Sequence, residues 1–124
     1  MAYYDNPENV QEYIEMAEGF DGRELVRVLG RYLSPGATVL ELGMGPGKDL
    51  DLLDEAYRAT GSDYAQLFLD RYRALHPQAD LLLLDAVDMD TERRFDAIYS
   101  NKVLYHLTRE ELRISLQNQA SVLN

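Results

Sequence analysis

Residues 39–50, VLELGMGPGKDL, set an acid, Glu41, two positions ahead of three glycines, Gly43, Gly45 and Gly47. Alternating glycines allow a sharp turn and a close approach of ligand to backbone, so the stretch reads as a ligand loop between a strand and a helix. Three ligand classes can be tried on it. A nucleoside triphosphate held by G-x-x-x-x-G-K-[ST] requires a glycine five positions before Gly47 and a hydroxyl after Lys48; the chain has Leu42 and Asp49 there. A dinucleotide held by G-x-G-x-x-G requires a third glycine for close helix–strand packing, and that position is Lys48. Glu41 also adds negative charge where a pyrophosphate would bring more. The loop suits a ligand that is not strongly anionic, and S-adenosylmethionine, with no phosphate and with an ammonium and a sulfonium, meets that condition.

Other residues able to do chemistry are few. Asp63 lies 22 positions after Glu41, which leaves room for a helix and a strand between them. Its carboxylate can accept from both hydroxyls of a ribose or cap the helix that follows. The acidic stretch DAVDMDTE does not make a calcium loop, because aligning Asp88 and Asp90 with one puts Arg93 where glycine is required and Tyr99 where the bidentate glutamate belongs. His76 and His106 each lack a second histidine beside them, and there is no cysteine, so no metal site is expected and neither a thiolate nor a disulfide is available.

These residues need a scaffold, and 124 residues suffice for one domain with one modest core. A net charge of -10 disfavours a nucleic acid or an anionic membrane surface as partner and leaves a small molecule as the expected one. The N-terminus is acidic and tyrosine-rich, and no apolar run approaches the roughly 20 residues that span a bilayer, so a cytoplasmic location is expected. Asn6 and Pro7 open a first helix with Val10, Ile14 and Ala17 on one face. A second is expected from Asp21, with Leu25, Val28, Leu29 and Leu33 on a stripe, ending at SPGA. ATVLEL then reads as a strand, LDLLDEA as a helix, YRATGSD as a strand, and YAQLFLDRYRAL as a helix with Leu67, Phe68, Tyr72 and Leu75 in register. DLLLLDA and FDAIYSN supply two more strands. Thr108 and Glu111 form a capping box before a last helix carrying Leu112, Ile114, Leu116 and Val122. Strands alternating with helices at this spacing predict an α/β fold with a mostly parallel sheet.

In order and spacing these motifs resemble the class I S-adenosylmethionine-dependent methyltransferases, whose fold is Rossmann-like. The likeness rests on LELGMGPG, on Asp63 in GSD, on LLDA and on FDAIYSNKVLYHL, and covers most of the chain. It implies a three-layer α/β/α domain with strand order 3-2-1-4, of which the chain supplies four of the usual seven strands. It implies S-adenosylmethionine as cofactor and S-adenosylhomocysteine as product. Glu41 would be a cofactor-binding residue, with Gly43, Gly45 and Gly47 against the methionine part, Asp63 at the ribose, Tyr64 near the adenine face, Asp85 and Ala86 at the adenine edge, and Asn101 below the methionine part. Tyr105 and His106 follow the fourth strand and are the candidate catalytic pair. As a histidine, His106 is the side-chain type suited to a general base, its alternative role being packing or a hydrogen bond at a helix start.

Residues 1–20, with Tyr3, Tyr4 and Tyr13, resemble the N-terminal lid of small-molecule methyltransferases, leaving 21–124 as the core. Ordinary half-polar packing is the other reading of those tyrosines. The chain stops after the helix that follows the fourth strand, so nothing in the sequence is expected to pair with the outer side of Phe95–Ser100, and self-association through that edge is expected. Methyl transfer to a small-molecule acceptor is the expected function. A non-catalytic cofactor-binding or interaction module is the alternative, and a dehydrogenase domain the less favoured one.

Overall fold

The computed structural model describes residues 2–17 and 22–124. The sequence expectations for Asp21 and for the side chains of Tyr3, Tyr13 and Ala17 lie outside the described residues. A 3-10 turn, Ala2–Asp5, leads into α1, Pro7–Ala17. Asn6 caps α1 as its chemistry predicts, its side-chain oxygen accepting the Glu8 N–H at 2.8 Å. There follow α2 (Arg23–Leu29), β1 (Thr38–Leu42), α3 (Lys48–Asp54), β2 (Arg58–Asp63), α4 (Gln66–Leu75), β3 (Leu81–Leu83) and β4 (Ala97–Ser100). A second 3-10 turn, Leu104–His106, precedes α5, Arg109–Val122. The Thr108–Glu111 capping box is formed in both directions.

The four strands are all parallel in the order β3-β2-β1-β4, with Leu40 opposite Thr60 on one side and Ile98 on the other. β1 is one of the two inner strands, and the pleat sends its residues alternately to two cores. Leu40 and Leu42 meet Leu84, Met89, Phe95 and Val122 on the α5 side. Val39 meets Leu53, Tyr57 and Tyr99 on the other, with Val26, Leu29 and Leu33 of the α2 region packed against them. Helices therefore cover both faces, and the architecture is the Rossmann-like α/β/α expected.

Three readings of side-chain placement are corrected. On α2 the packed face runs through half-buried Val26 and Leu29, while Leu25 and Val28 face solvent, because the helix is turned by one position from the face that spacing alone selected. On α4, Leu69 joins Phe68 and Tyr72 in the core, and Leu75, at the very end of the helix, is exposed. Leu116 of α5 is likewise exposed, with Ser115 buried in its place. The outer side of β4 is also not bare from its start. Phe95 bridges Leu123 in parallel, its N–H donating to the Val122 carbonyl at 3.0 Å and its carbonyl accepting from Asn124 N–H at 2.9 Å. The last residues thus pair beside the beginning of that strand, contrary to the expectation that nothing would. Since successive residues of a strand address opposite neighbours, the outward main-chain groups beyond this bridge are those of Ala97 and Tyr99.

β2 lies on one side of β1 and β4 on the other, so strand order reverses at β1. In open parallel sheets a ligand crevice forms there, beyond the carboxyl ends of the strands. The loops after Leu42 and Ser100 are its walls.

Candidate functional site

The loop from β1 to α3 is built on three glycines with positive φ, 61° at Gly43, 52° at Gly45 and 89° at Gly47. Two of them also have no room for a side chain. A Cβ on Gly43 would lie 2.7 Å from Val103 Cγ2, and one on Gly47 would lie 2.4 Å from the Tyr72 ring. The close contact at Gly43 brings the segment after β4, which carries Tyr105 and His106, against the glycine loop.

Asp63, at the end of β2, is buried and ties the loop to the neighbouring strand. Its Oδ2 accepts the Gly45 N–H at 3.0 Å and its Oδ1 the Ala65 N–H at 2.9 Å. Asp63 is not the N-cap of the next helix, the alternative its position offered: Ala65 is the N-cap of α4 and no side chain caps it, so the Asp63 bond to Ala65 N–H is a local turn two residues long. A carboxylate offers about four lone-pair sites, so two N–H donors leave acceptor capacity for hydroxyls. Burial raises its pKa, against the lowering effect of the N–H groups of Ala65, Gly45 and Tyr64.

Glu41 points to the same side of the sheet as α3 and is 3% exposed. Its Oε1 is buried without a hydrogen-bond partner. Burial first, and then the charges of Asp49, Asp63 and Asp51, push its pKa well above the usual carboxylate range. Beside it Asp49, in the first turn of α3, is buried but fully engaged. Asp49 Oδ1 accepts the Gly22 N–H at 2.7 Å, and Oδ2 accepts the Tyr99 hydroxyl at 2.8 Å and the Asn101 side-chain amide at 3.1 Å. Four carboxylates thus gather at the carboxyl end of β1, and one buried oxygen among them lacks a donor. Such an arrangement is unfavourable by itself and is relieved by a cationic group.

Tyr64 follows Asp63, and burial and the Asp63 charge push its hydroxyl up to about 12. The Tyr4 ring from the N-terminal turn packs 6.3 Å from Tyr64 and 5.3 Å from Phe68, centroid to centroid, in a cluster with Val10 and Ala65. The N-terminal helix is thereby docked on the element that follows Asp63. Beside the end of β2, where Leu84 N–H donates to the Asp63 carbonyl at 3.0 Å, Asp85 Oδ1 accepts the Val87 N–H at 2.7 Å, and the Ala86 carbonyl accepts the Ser115 hydroxyl from α5. Tyr105 and His106 stand exposed on their 3-10 turn with ring centroids 4.1 Å apart. Neither side chain enters the Asp49 network.

Three participants escaped the sequence reading. In the sequence Asp49 figures only as the residue standing where a triphosphate loop needs a hydroxyl, and Gly22 and Tyr99 carry no site signal. Their partners are 27 to 52 residues apart along the chain, so no local pattern reports them. Tyr72 is a fourth, packed where a Gly47 side chain would go and donating from its hydroxyl to Asp51 at 2.5 Å. Among the described residues no group of three His, Cys, Asp or Glu side chains is placed to hold a metal ion. Nor is any helix among them long and apolar enough to cross a membrane. The glycine cradle, the acid cluster with its unpartnered oxygen, and Asp63 together fit a ligand with a cationic amino-acid part and a ribose.

A family model described as a methyltransferase domain matches residues 39–124. No curated protein matches the sequence. Solved structures do match. A TehB-like SAM-dependent methyltransferase from Corynebacterium glutamicum is 25% identical with a TM-score of 0.79, over 95% of this chain and 68% of that one. SAM-bound CalS10, an amino pentose methyltransferase from Micromonospora echinaspora involved in calicheamicin biosynthesis, is 23% identical with a TM-score of 0.76, over 93% and 52%. The sugar N-methyltransferase KedS8 from Streptoalloteichus is 24% identical with a TM-score of 0.79, over 92% and 49%. The chain spans about half the length of the latter two.

Proposed function

The chain belongs to the methyltransferase domain family, and from that premise we propose that it binds S-adenosylmethionine and transfers its methyl group to a small-molecule acceptor. The observation that carries the reading is Glu41, a buried carboxylate with an unpartnered oxygen at the end of β1. The cofactor, when bound, supplies a methyl on sulfonium sulfur that an acceptor N, O or C atom takes in line, leaving S-adenosylhomocysteine. Glu41 accepts from the ammonium of the methionine part, whose backbone-side approach is opened by Gly43, Gly45 and Gly47. Asp63 accepts from the ribose hydroxyls with the lone pairs its two N–H partners leave. Tyr64 lies along the adenine face, and Asp85 and Ala86 meet the adenine edge. Asn101 is held by Asp49 under the methionine part. The work of the protein is alignment and exclusion of water.

His106 and Tyr105 are the catalytic residues in this proposal. They stand on the segment whose Val103 touches the glycine loop, and His106 takes a proton from an acceptor that begins protonated. Residues 1–20 act as the lid over the core formed by 21–124, a role favoured by the packing of Tyr4 on Tyr64 and Phe68. A small-molecule acceptor is favoured because two of the similar structures act on an amino pentose and a sugar. Self-association through the outward groups of Ala97 and Tyr99 belongs to the same proposal.

Calorimetry with S-adenosylhomocysteine, NAD and ATP in parallel tests the cofactor. Binding of the first alone is expected, and equal or tighter binding of NAD would overturn the reading. Binding without turnover of any amine or hydroxyl acceptor would leave a cofactor-binding module, the alternative drawn from the sequence.

A further inference from the structure

Asp49 is a second buried carboxylate beside Glu41, which its bonds to three donors must offset. It is 9% exposed, and after burial its charge is the largest contributor to the raised pKa of Glu41. A second acid beside one that is buried and unpaired adds repulsion. Yet its two oxygens gather donors from three separate parts of the chain. These are the main chain at Gly22 just before α2, the Tyr99 hydroxyl on β4 and the Asn101 amide just beyond it, at 2.7, 2.8 and 3.1 Å.

Gly22 is pressed onto this cluster. A Cβ there would stand 2.2 Å from the Tyr99 hydroxyl oxygen and 2.4 Å from Asp49 Oδ2, so the backbone occupies the space of a side chain. The α2 register depends on the same residue, since the Gly22 carbonyl accepts the first helical bond from Val26 N–H at 2.8 Å. Whatever moves Asp49 therefore acts on both the start of α2 and the amide of Asn101.

We propose that Asp49 is a positioning residue, a latch that seats the start of α2 through the Gly22 N–H and at the same time orients Asn101 and Tyr99 at the cofactor crevice. The Asn101 half rests on the cofactor reading above; the Gly22 half does not. Charge-assisted bonds from three donors hold the carboxylate in one orientation. Any group that draws on Asn101 thus also acts on the seating of α2.

The test uses the full chain as Asp49→Asn, Asn101→Ala, the double variant, and Tyr99→Phe as a milder cut of the same hub. Amide hydrogen exchange without ligand reads the latch. Asp49→Asn is expected to speed exchange at Gly22 and residues 23–29 at least tenfold, with α4 unchanged and Tyr99→Phe intermediate. Exchange unchanged at Gly22 and α2, or accelerated equally in α4, would overturn the latch. S-adenosylhomocysteine affinity by calorimetry reads the positioning. Asp49→Asn and Asn101→Ala should each weaken binding about tenfold, and the double variant clearly less than a hundredfold, because one acts through the other. Independent, fully multiplied losses, or an affinity for Asp49→Asn within twofold of the parent, would overturn it. If the parent binds no S-adenosylhomocysteine, the cofactor reading fails and with it the Asn101 half, while the exchange data still decide the latch.

Discussion

Replacing Glu41 by glutamine keeps the shape of the side chain and removes the charge. In the ligand-free protein this carboxylate is buried with one oxygen unpartnered and three acids near it. A group whose folded pKa is raised above its unfolded value contributes its stability below the unfolded value. That contribution is lost as pH rises through the folded one. The parent should therefore lose stability relative to Glu41→Gln on going from pH 4 towards pH 8, and the two should nearly coincide at pH 4. An unsatisfied buried polar group costs about 1–3 kcal/mol, more when charged; glutamine still leaves its own amide to be satisfied, so a gain of about 1–2 kcal/mol at pH 8 is the expected size. That corresponds to a midpoint about 4–8 °C higher for a domain of this length. Thermal unfolding of both proteins across this pH range, without ligand, measures it. The same variant should bind S-adenosylhomocysteine about tenfold more weakly, since a charge-assisted bond of about 1.5–3 kcal/mol is lost. A stability difference that does not grow with pH, or a less stable glutamine variant at pH 8, would refute the assignment of Glu41 as a buried charge awaiting a cation.

Asp63→Ala should weaken cofactor binding by about 1–3 kcal/mol, read by calorimetry with circular dichroism as the control for folding; unchanged affinity would leave Asp63 with only its bonds to Gly45 and Ala65. Gly45→Val should impair binding more than Glu41→Gln does, because a β-branched residue at a φ of 52° is strained, and titration of both variants compares them directly. Light scattering across a concentration series should show association of the 124-residue chain, and a stable monomer with protected amides at 97 and 99 would exclude pairing through β4.

The sheet and its loop were legible because their signals are local and periodic. Compact apolar runs marked β1 and β4, and the glycine spacing marked a turn that the positive φ values bear out. Thr108 and Glu111 announced their capping box three residues apart. What was not legible depends on placement across the fold. Spacing says that α2 has an apolar face but not how it is rotated onto the sheet, hence Leu25 and Val28 were assigned inward in place of Val26. Leu123 pairs with Phe95 by a single bridge, too short to leave any periodic trace. Asp49 reads as an exposed acid in a helix start until Gly22, Tyr99 and Asn101 arrive from distant segments. The glycine loop and Asp63 were therefore nameable as candidates, whereas the hub that holds Asn101 required coordinates.

The strand register also sets an order of assembly. Val39 pairs with Ala59 across β1 and β2 but with Ala97 across β1 and β4. The first pairing closes a short loop through α3, while the second must bring together residues separated by nearly half the chain. Non-local pairings of this kind form slowly and tend to come late. β1, α3 and β2 are therefore expected to form first, with β4 docking on them afterwards. Tyr99 lies on that strand and Asn101 just beyond it, so the acid cluster should close only near the end of folding. Substitutions at Tyr99 should accordingly accelerate unfolding and leave the folding rate nearly unchanged, and stopped-flow chevrons would show the opposite if β4 belonged to the nucleus. The crevice would then be the last part of the molecule to form and the first to open.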